Sequence, residues 1–234
     1  LTNISQDNGF DKWMNDKFIL GNREGAYERT FYDRNYNDVY FNFPSISLVF
    51  SEKLNRFMSL MSYGGATMMD NIGNRFVSIY PTNSPSSSLF LNHEGNYNYF
   101  YTGYKPYYVE YRVNPEFYRD KVFNNIEFMA DMTDMSLYNT TSPWQSTLNE
   151  SFTNLDVFNE YQRGSSDLTV VNNLTPINLV RKYRTWRANI PRDEHNKLDR
   201  IRGPWINLKL TRNATEADAN KLMEFHNLIV KYSE

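Results

Sequence analysis

Tyr107-Tyr108-Val109-Glu110-Tyr111-Arg112-Val113 alternates along its whole length. Tyr107, Val109, Tyr111 and Val113 fall on one side, and Tyr108, Glu110 and Arg112 on the other. That is the period-two signature of a strand with one drier face. Outward from this stretch the same signal returns. Upstream, Tyr36, Val39, Tyr40 and Phe41 lead to Phe43 around a turn carrying Asn35, Asn37 and Asp38. Ile46 to Phe50 is a second apolar run, Ser51-Glu52-Lys53-Leu54-Asn55 a tight polar connection, and Phe57, Met58, Leu60 and Met61 resume the pattern as a hairpin. Arg75 to Tyr80, Ser88 to Leu91 and Asn98 to Tyr101 add short strands. The Pro81 to Ser88 loop and the turn His93-Glu94-Gly95-Asn96 separate them.

Downstream, Val122 to Met129 reads as a strand, and Asp131 to Asn154 as a long polar loop. Asn154 to Tyr161 and Asp167 to Val171 are further strand candidates. Arg181 to Arg187 and Trp205 to Leu210 frame a basic loop. Leu222 to Tyr232 suits either a helix or a strand, and helix is otherwise expected only in short pieces at Gly9 to Asp16 and near Pro115 to Arg119. The expected fold is all-β: short antiparallel strands, propeller-blade-like or a sandwich, with few short helices. The expected organisation is an N-terminal extension (1–30), a hairpin or blade-like region (31–130), and a β region with an irregular loop and a basic C-terminal segment (131–234), the whole forming one continuous β-rich unit.

Composition agrees with this reading. The 234 residues include 18 Tyr, 16 Phe and 30 Asn, against 10 Gly and 9 Pro. Aromatic side chains suit a pleated, half-buried surface, and asparagine suits turns because its amide mimics a backbone group and tolerates left-handed dihedrals. At 40% hydrophobic residues the chain is no disordered tail. No run reaches the roughly 20 apolar residues of a membrane helix, so no membrane span is expected. With no cysteine, disulfides and thiol chemistry are excluded. A net charge of −2 supplies no overall drive toward nucleic acid. The expectation is a soluble globular protein. Leu1 follows no methionine or apolar leader, so the chain reads as a fragment or processed product of something longer.

Catalytic chemistry finds little support. His93, His195 and His226 lie far apart and in no metal-ligand spacing, so neither a metal nor another cofactor is expected. Asp131, Asp134, Glu150 and Asp156 could act as hydrolase carboxylates only by converging in a groove; as loop residues they read as solvated charge. No catalytic residue is assigned. Sequons at Asn3, Asn139, Asn149, Asn173 and Asn213 are no more than this composition gives by chance.

Charge is the strongest local feature. Between Arg181 and Arg212 ten cations face only Asp193, Glu194 and Asp199, a surplus of seven, while the rest of the chain carries 15 basic and 24 acidic residues, a deficit of nine. Arg181, Lys182, Arg184, Arg187, Arg192, Arg200 and Arg202 are the candidate contact residues, with Trp186 and Trp205 interleaved. Such a stripe could track a nucleic-acid backbone, but with that deficit elsewhere it more readily pairs with carboxylates of the same chain or a neighbouring subunit. Tyr97, Tyr99, Tyr101, Tyr104, Tyr107 and Tyr108 form a dense cluster, with Tyr97, Tyr99, Tyr104, Tyr107 and Tyr108 as the candidate aromatic contacts. Exposed, it would serve either a carbohydrate-binding or host-adhesion surface or an assembly contact.

Three stretches carry a resemblance. Val49-Phe50-Ser51-Glu52-Lys53-Leu54-Asn55-Arg56-Phe57-Met58-Ser59-Leu60-Met61-Ser62-Tyr63 is the first, and Lys121-Val122-Phe123-Asn124-Asn125-Ile126-Glu127-Phe128 the second. The third is Arg181-Lys182-Tyr183-Arg184-Thr185-Trp186-Arg187-Ala188-Asn189-Ile190-Pro191-Arg192, continuing through Arg200-Ile201-Arg202-Gly203-Pro204-Trp205-Ile206-Asn207-Leu208-Lys209-Leu210. Together they resemble the C-terminal region of the tail muzzle (nozzle-like) proteins of crAss-like bacteriophages, over residues 31 to 232. This chain has Asn124-Asn125 where the family pattern has Asp-Asn, and it is far shorter. The resemblance implies a structural, non-enzymatic virion protein of the distal tail, where DNA leaves the particle. Its implied partners are other phage tail proteins, a homo-oligomeric ring and DNA in transit.

Overall fold

The computed structural model describes residues 29–81, 87–116, 118–138, 147–169 and 178–233. The expected N-terminal extension up to residue 28, the Gly9 to Asp16 helix and the sequons at Asn3, Asn139 and Asn173 lie outside the described residues. The chain is mainly β, as its pattern predicts, and divides into two compact units. One is formed by the described residues up to Gly95 with Tyr99–Gly103, the other by Asn96–Asn98 with Tyr104–Glu234.

In the first unit β1 (Arg29–Asp33), β2 (Asp38–Asn42), β3 (Ser47–Ser51) and β4 (Arg56–Met61) form an antiparallel meander in chain order. The β1–β2 and β3–β4 turns are closed by Asn37 (φ 57°) and Asn55 (φ 49°), a left-handed conformation that asparagine tolerates better than most residues. Every residue of β3 is buried, which explains its continuous apolar run. A second sheet of β5 (Met68–Ile72), β6 (Arg75–Pro81) and β7 (Ser87–Leu91) supplies Met69 and Phe76 to a core shared with Tyr40, Val49, Tyr63 and Tyr101. Aromatic rings fill this core; Tyr80 and Tyr101 stack at 4.2 Å. Gly64 is required, because a Cβ there would overlap the backbone of Ser45 and Ile46. A short hairpin of β8 (Tyr99–Phe100) and β9 (Gly103–Tyr104) follows.

The second unit contains β10 (Tyr107–Val113), β11 (Lys121–Asp134), a helical turn α1 (Met135–Tyr138), β12 (Thr147–Leu148), β13 (Asn154–Phe158) and β14 (Arg163–Asp167). Next come β15 (Val180–Lys182), β16 (Thr185–Asn189), β17 (Arg202–Gly203), β18 (Ile206–Arg212) and β19 (Lys221–Ser233). One sheet runs β10-β18-β13-β14; the other is built on β11, with β12, β16, β15 and β17 along one edge and β19 along the other. Leu155, Val157, Ile206, Leu208 and Leu210 of the first sheet meet Ile126, Phe128, Ala130, Trp186 and Ala188 of the second in a single core. The unit is a β-sandwich.

Two local expectations are corrected and one open alternative is settled. The strand beginning at Val122 does not stop at Met129 but continues to Asp134, because Ala130 and Met132 alternate inward between the polar Asp131 and Thr133. The described residues from Pro115 to Arg119 form bends and a turn, with the Arg119 N–H donating to the Glu116 carbonyl at 3.1 Å, and not a helix. Leu222 to Tyr232 is strand, since β11 offers it a ladder almost its full length.

The sandwich predicts a clear contrast. Leu208→Ala, at a fully buried position, should cost about 2–5 kcal/mol in urea unfolding. Leu198→Ala, at a position 85% exposed, should stay within about 0.5 kcal/mol. Equal losses at the two positions would contradict the assigned core.

Candidate functional site

The charged residues gather on the outer face of the β11 sheet. Glu127 and Asp131 project outward from the central strand, and cations approach from both sides. Glu127 accepts from Lys231 Nζ of β19 at 2.6 Å, and Arg187 Nε of β16 lies 3.7 Å away. Asp131 sits where β16 has ended and β12 has not yet begun: the first pairs as far as Met129, the second at Met132 and Thr133. Arg181 and Arg184, on and just beyond β15, reach into that gap. Arg181 lies 3.5 Å from Asp131 Oδ1, and Arg184 donates to Oδ2. From the other side His226, the extra residue of a bulge in β19, brings Nε2 to 3.3 Å of Oδ2. Burial works against ionisation of Asp131, but the Arg184 hydrogen bond and charge, with His226, outweigh it and hold the carboxyl below its usual value. At Glu127 the Lys231 hydrogen bond leads the shift in the same direction.

A second, buried network lies at the end of β18. Arg212, only 8% exposed, donates to Glu150 at 2.6 Å, to Asp218 at 2.5 Å and to the Ser151 carbonyl at 2.8 Å. Lys221 closes it on Glu150 at 2.8 Å. Burial opposes the charge on Glu150 and Asp218, yet the hydrogen bonds from Lys221 and Arg212 to Glu150, and from Arg212 and the Thr215 backbone to Asp218, leave both carboxyls below their ordinary values. Lys121 is buried too, and among the described residues no carboxylate pairs with its ammonium. It donates instead to the carbonyls of Glu116, Arg119 and Pro204 at 2.7, 2.8 and 3.0 Å, which uses all three of its N–H groups.

The other residues singled out by sequence are spread around the second unit. Arg192 donates to the Leu198 carbonyl at 2.7 Å, Arg200 to Asn124 Oδ1 at 3.2 Å, and Arg202 lies 3.9 Å from Asp199. Lys182 is exposed beside the Tyr183 ring. Trp186 is a core residue whose Nε1 donates to the Ala130 carbonyl at 2.9 Å, with Arg181 stacked over it, so it offers no free aromatic plane. Trp205 carries Arg112 at 4.6 Å. The tyrosines share no single platform. Tyr107 and Tyr108 point to opposite faces of β10: the Tyr107 hydroxyl reaches Met223 at 3.4 Å and burial pushes its pKa up to about 12, while Tyr108 is capped by Lys209 at 4.0 Å. Tyr104 accepts from Asn96, Tyr97 is held through its backbone to Ala219, and Tyr99 lies on β8 in the first unit.

The four candidate hydrolase carboxylates do not converge. Asp131 and Glu150 belong to the two networks above, Asp134 accepts from Ser136, and Asp156 from Asn154. A recess of about 550 Å³ at the β13–β14 hairpin mixes Asp156, Glu160 and Glu194 with Arg163, His195 and Lys209, and Arg163 already pairs with Glu194 at 3.1 Å. Sequence reading missed Asp33, fully buried in the first unit with His93 at 3.2 Å, inside rings of Tyr36, Tyr40, Tyr63 and Phe76. Asp33 and His93 are 60 positions apart, and neither has a motif around it.

Comparison with known proteins gives two matches to family descriptions. Residues 1–82 match the Crassvirus muzzle protein, and residues 95–193 match the Crassvirus muzzle protein C-terminal domain. The second match begins at Gly95, where the first compact unit gives way to the second. Over 99% of its length the chain is 38% identical to the "Muzzle protein" of Bacteroides phage crAss001, and it spans 16% of that relative.

Burial separates the ion pairs by expected effect. Arg212→Ala should cost about 3–5 kcal/mol, because it leaves buried Asp218 with only Lys221 at 3.4 Å for a counter-charge, whereas Arg184→Ala, at a side chain 64% exposed, should cost about 1 kcal/mol or less. Chemical denaturation of the two variants checks this. The lowered carboxyls also set a pH dependence. Their contribution is complete above the ordinary carboxylate range and is lost as pH falls through the lowered values, so stability should decline progressively below about pH 5. An Asp218→Asn variant should show a shallower decline; an unchanged slope would remove Asp218 from the account.

Proposed function

Because the chain belongs to the crassvirus muzzle protein family, we propose that it forms part of a structural virion protein of the phage tail, acting by assembly around the DNA exit path and not by catalysis. Family membership carries this reading, and the site's chemistry supports it. Carboxylates at the centre of the β11 sheet are recessed, and the guanidinium and ammonium groups that flank them stand at the rim. Charge used in this way stiffens a sheet and presents cations to a neighbour. Copies in a ring reuse one heterologous contact, a positive patch on one meeting a negative patch on the next, and a chain with a basic segment and an acidic remainder is suited to that arrangement.

The particle is the proposed location, with other tail proteins and further copies of the chain as partners. Native mass spectrometry and light scattering on the full chain at micromolar concentration, alone and mixed with the other tail proteins of its phage, test the proposal. The expected result is a discrete multimer or a stable co-assembly. A monomer that joins no tail component would overturn it.

A further inference from the structure

The seven arginines between Arg181 and Arg212 divide by what neutralises them. Asp131 holds Arg181 and Arg184, Glu127 faces Arg187, Asp199 faces Arg202, and Glu150 with Asp218 holds Arg212. Arg192 and Arg200 differ: among the described residues neither guanidinium has a carboxylate partner, and each donates to one neutral acceptor. They stand directly opposite each other in an antiparallel bridge. Residues so placed project to the same side, and like charges there destabilise the pairing unless something lies between them. The nearest acids are committed elsewhere. Asp193 is buried and accepts from the Arg163 N–H at 3.3 Å, and Asp199 accepts from the Asn196 amide at 2.9 Å while facing Arg202.

Both arginines line a recess of about 370 Å³ together with Asn124, Asn125 and Asn189. Asn125 is the unsatisfied group there: its Oδ1 is buried without a hydrogen-bond partner. Two guanidiniums in one recess match a carboxylate.

We propose that Arg192 and Arg200 form a clamp that takes an acidic side chain from a second copy of this chain, which rests on the assembly reading above and names its contact. A nucleic acid fits less well. Tracking its phosphates requires a run of cations without partners, and here five of the seven arginines face the chain's own acids and Lys182 and Lys209 lie against tyrosine rings, so the guanidiniums left without an acid are one concave pair. A second copy supplies the complementary charge, since outside 181–212 the chain has nine more acids than bases.

Sedimentation velocity on the full chain tests the clamp, comparing wild type with R192Q/R200Q and with R192K/R200K, which keeps charge but loses the planar fork. The double glutamine variant should weaken self-association by about tenfold or more, with the lysine variant between. In thermal unfolding at matched ionic strength, sodium acetate should raise the wild-type midpoint relative to sodium chloride, and R192Q/R200Q should lose that rise. An assembly that forms equally well in all three proteins overturns the clamp and leaves the tail assignment standing; a wild-type chain that stays monomeric alone overturns the clamp, and one that also joins no tail component overturns both. Binding of a duplex oligonucleotide that depends on Arg192 and Arg200, with self-association untouched, would replace the carboxylate with phosphate and overturn the proposal.

Discussion

A 14-residue strand in the middle of a sheet exposes two rows of backbone donors and acceptors, and the second unit is organised around satisfying those of β11. β19 pairs with one edge over nearly its whole length. The other edge is met piecemeal by β17, β16 and β12, which leaves two gaps. At the first, the Phe123 N–H donates to the Ile201 carbonyl at 3.1 Å, and the Asn124 carbonyl accepts from the Ile190 N–H at 3.0 Å. At the second, the Trp186 indole donates to the Ala130 carbonyl. The gaps are also where the charged residues collect, Arg192 and Arg200 beside the first and Arg181 and Arg184 beside the second. An interrupted ladder leaves room for long side chains, and the placement of the charged surface follows from how the central strand is paired.

Asparagine extends the same logic to the edges. Asn71 accepts from the Arg34 N–H at 3.1 Å and donates to the Tyr32 carbonyl at 2.7 Å, joining β5 to β1 as a further residue of strand would. Asn178 does this for Asn189, accepting at 2.9 Å and donating at 2.7 Å. Asn159 accepts from Tyr161 and Gln162 in the β13–β14 turn and donates to the Arg202 carbonyl. These three asparagines therefore do more than make turns. They satisfy backbone groups where short strands run out, which lets small sheets hold together without long ladders.

How much of this could be read beforehand depended on whether side-chain pattern or chain topology decided the outcome. Tyr107 to Val113 and the Ile46 to Met61 hairpin were legible because apolar alternation and a polar turn act locally. β14 was not, since Arg163-Gly164-Ser165-Ser166-Asp167 has no apolar side chain; its inward position is Gly164, kept small because a Cβ would run into the Arg192 carbonyl. The basic segment was visible as a cluster. Its partners were not, because Asp131 lies 50 positions before Arg181 and reaches it only through the pairing of β11 with β16 and of β16 with β15. Lys121 gave no signal at all: its partners are three backbone carbonyls, which sequence does not distinguish.

The same cations are graded by exposure, and the grade separates fold from recognition. Lys121 and Arg212 are shut away from water, so removing a partner from either would leave a charge that solvent cannot reach, and such contacts hold one geometry. Arg184 and Arg187 are more than half exposed, and pairs of this kind contribute about 0–1 kcal/mol because water and salt already screen them. A contact of so little energy is readily exchanged for another. When a neighbouring surface brings a carboxylate and excludes water, an exposed arginine can leave its own acid for the new one at little cost, and the exchange gains strength as the local dielectric falls. Arg192 and Arg200 begin further along that path, having no acid to give up among the described residues, so in the proposed contact association starts from unpaired charge and a docking copy would relieve repulsion already present in the free chain.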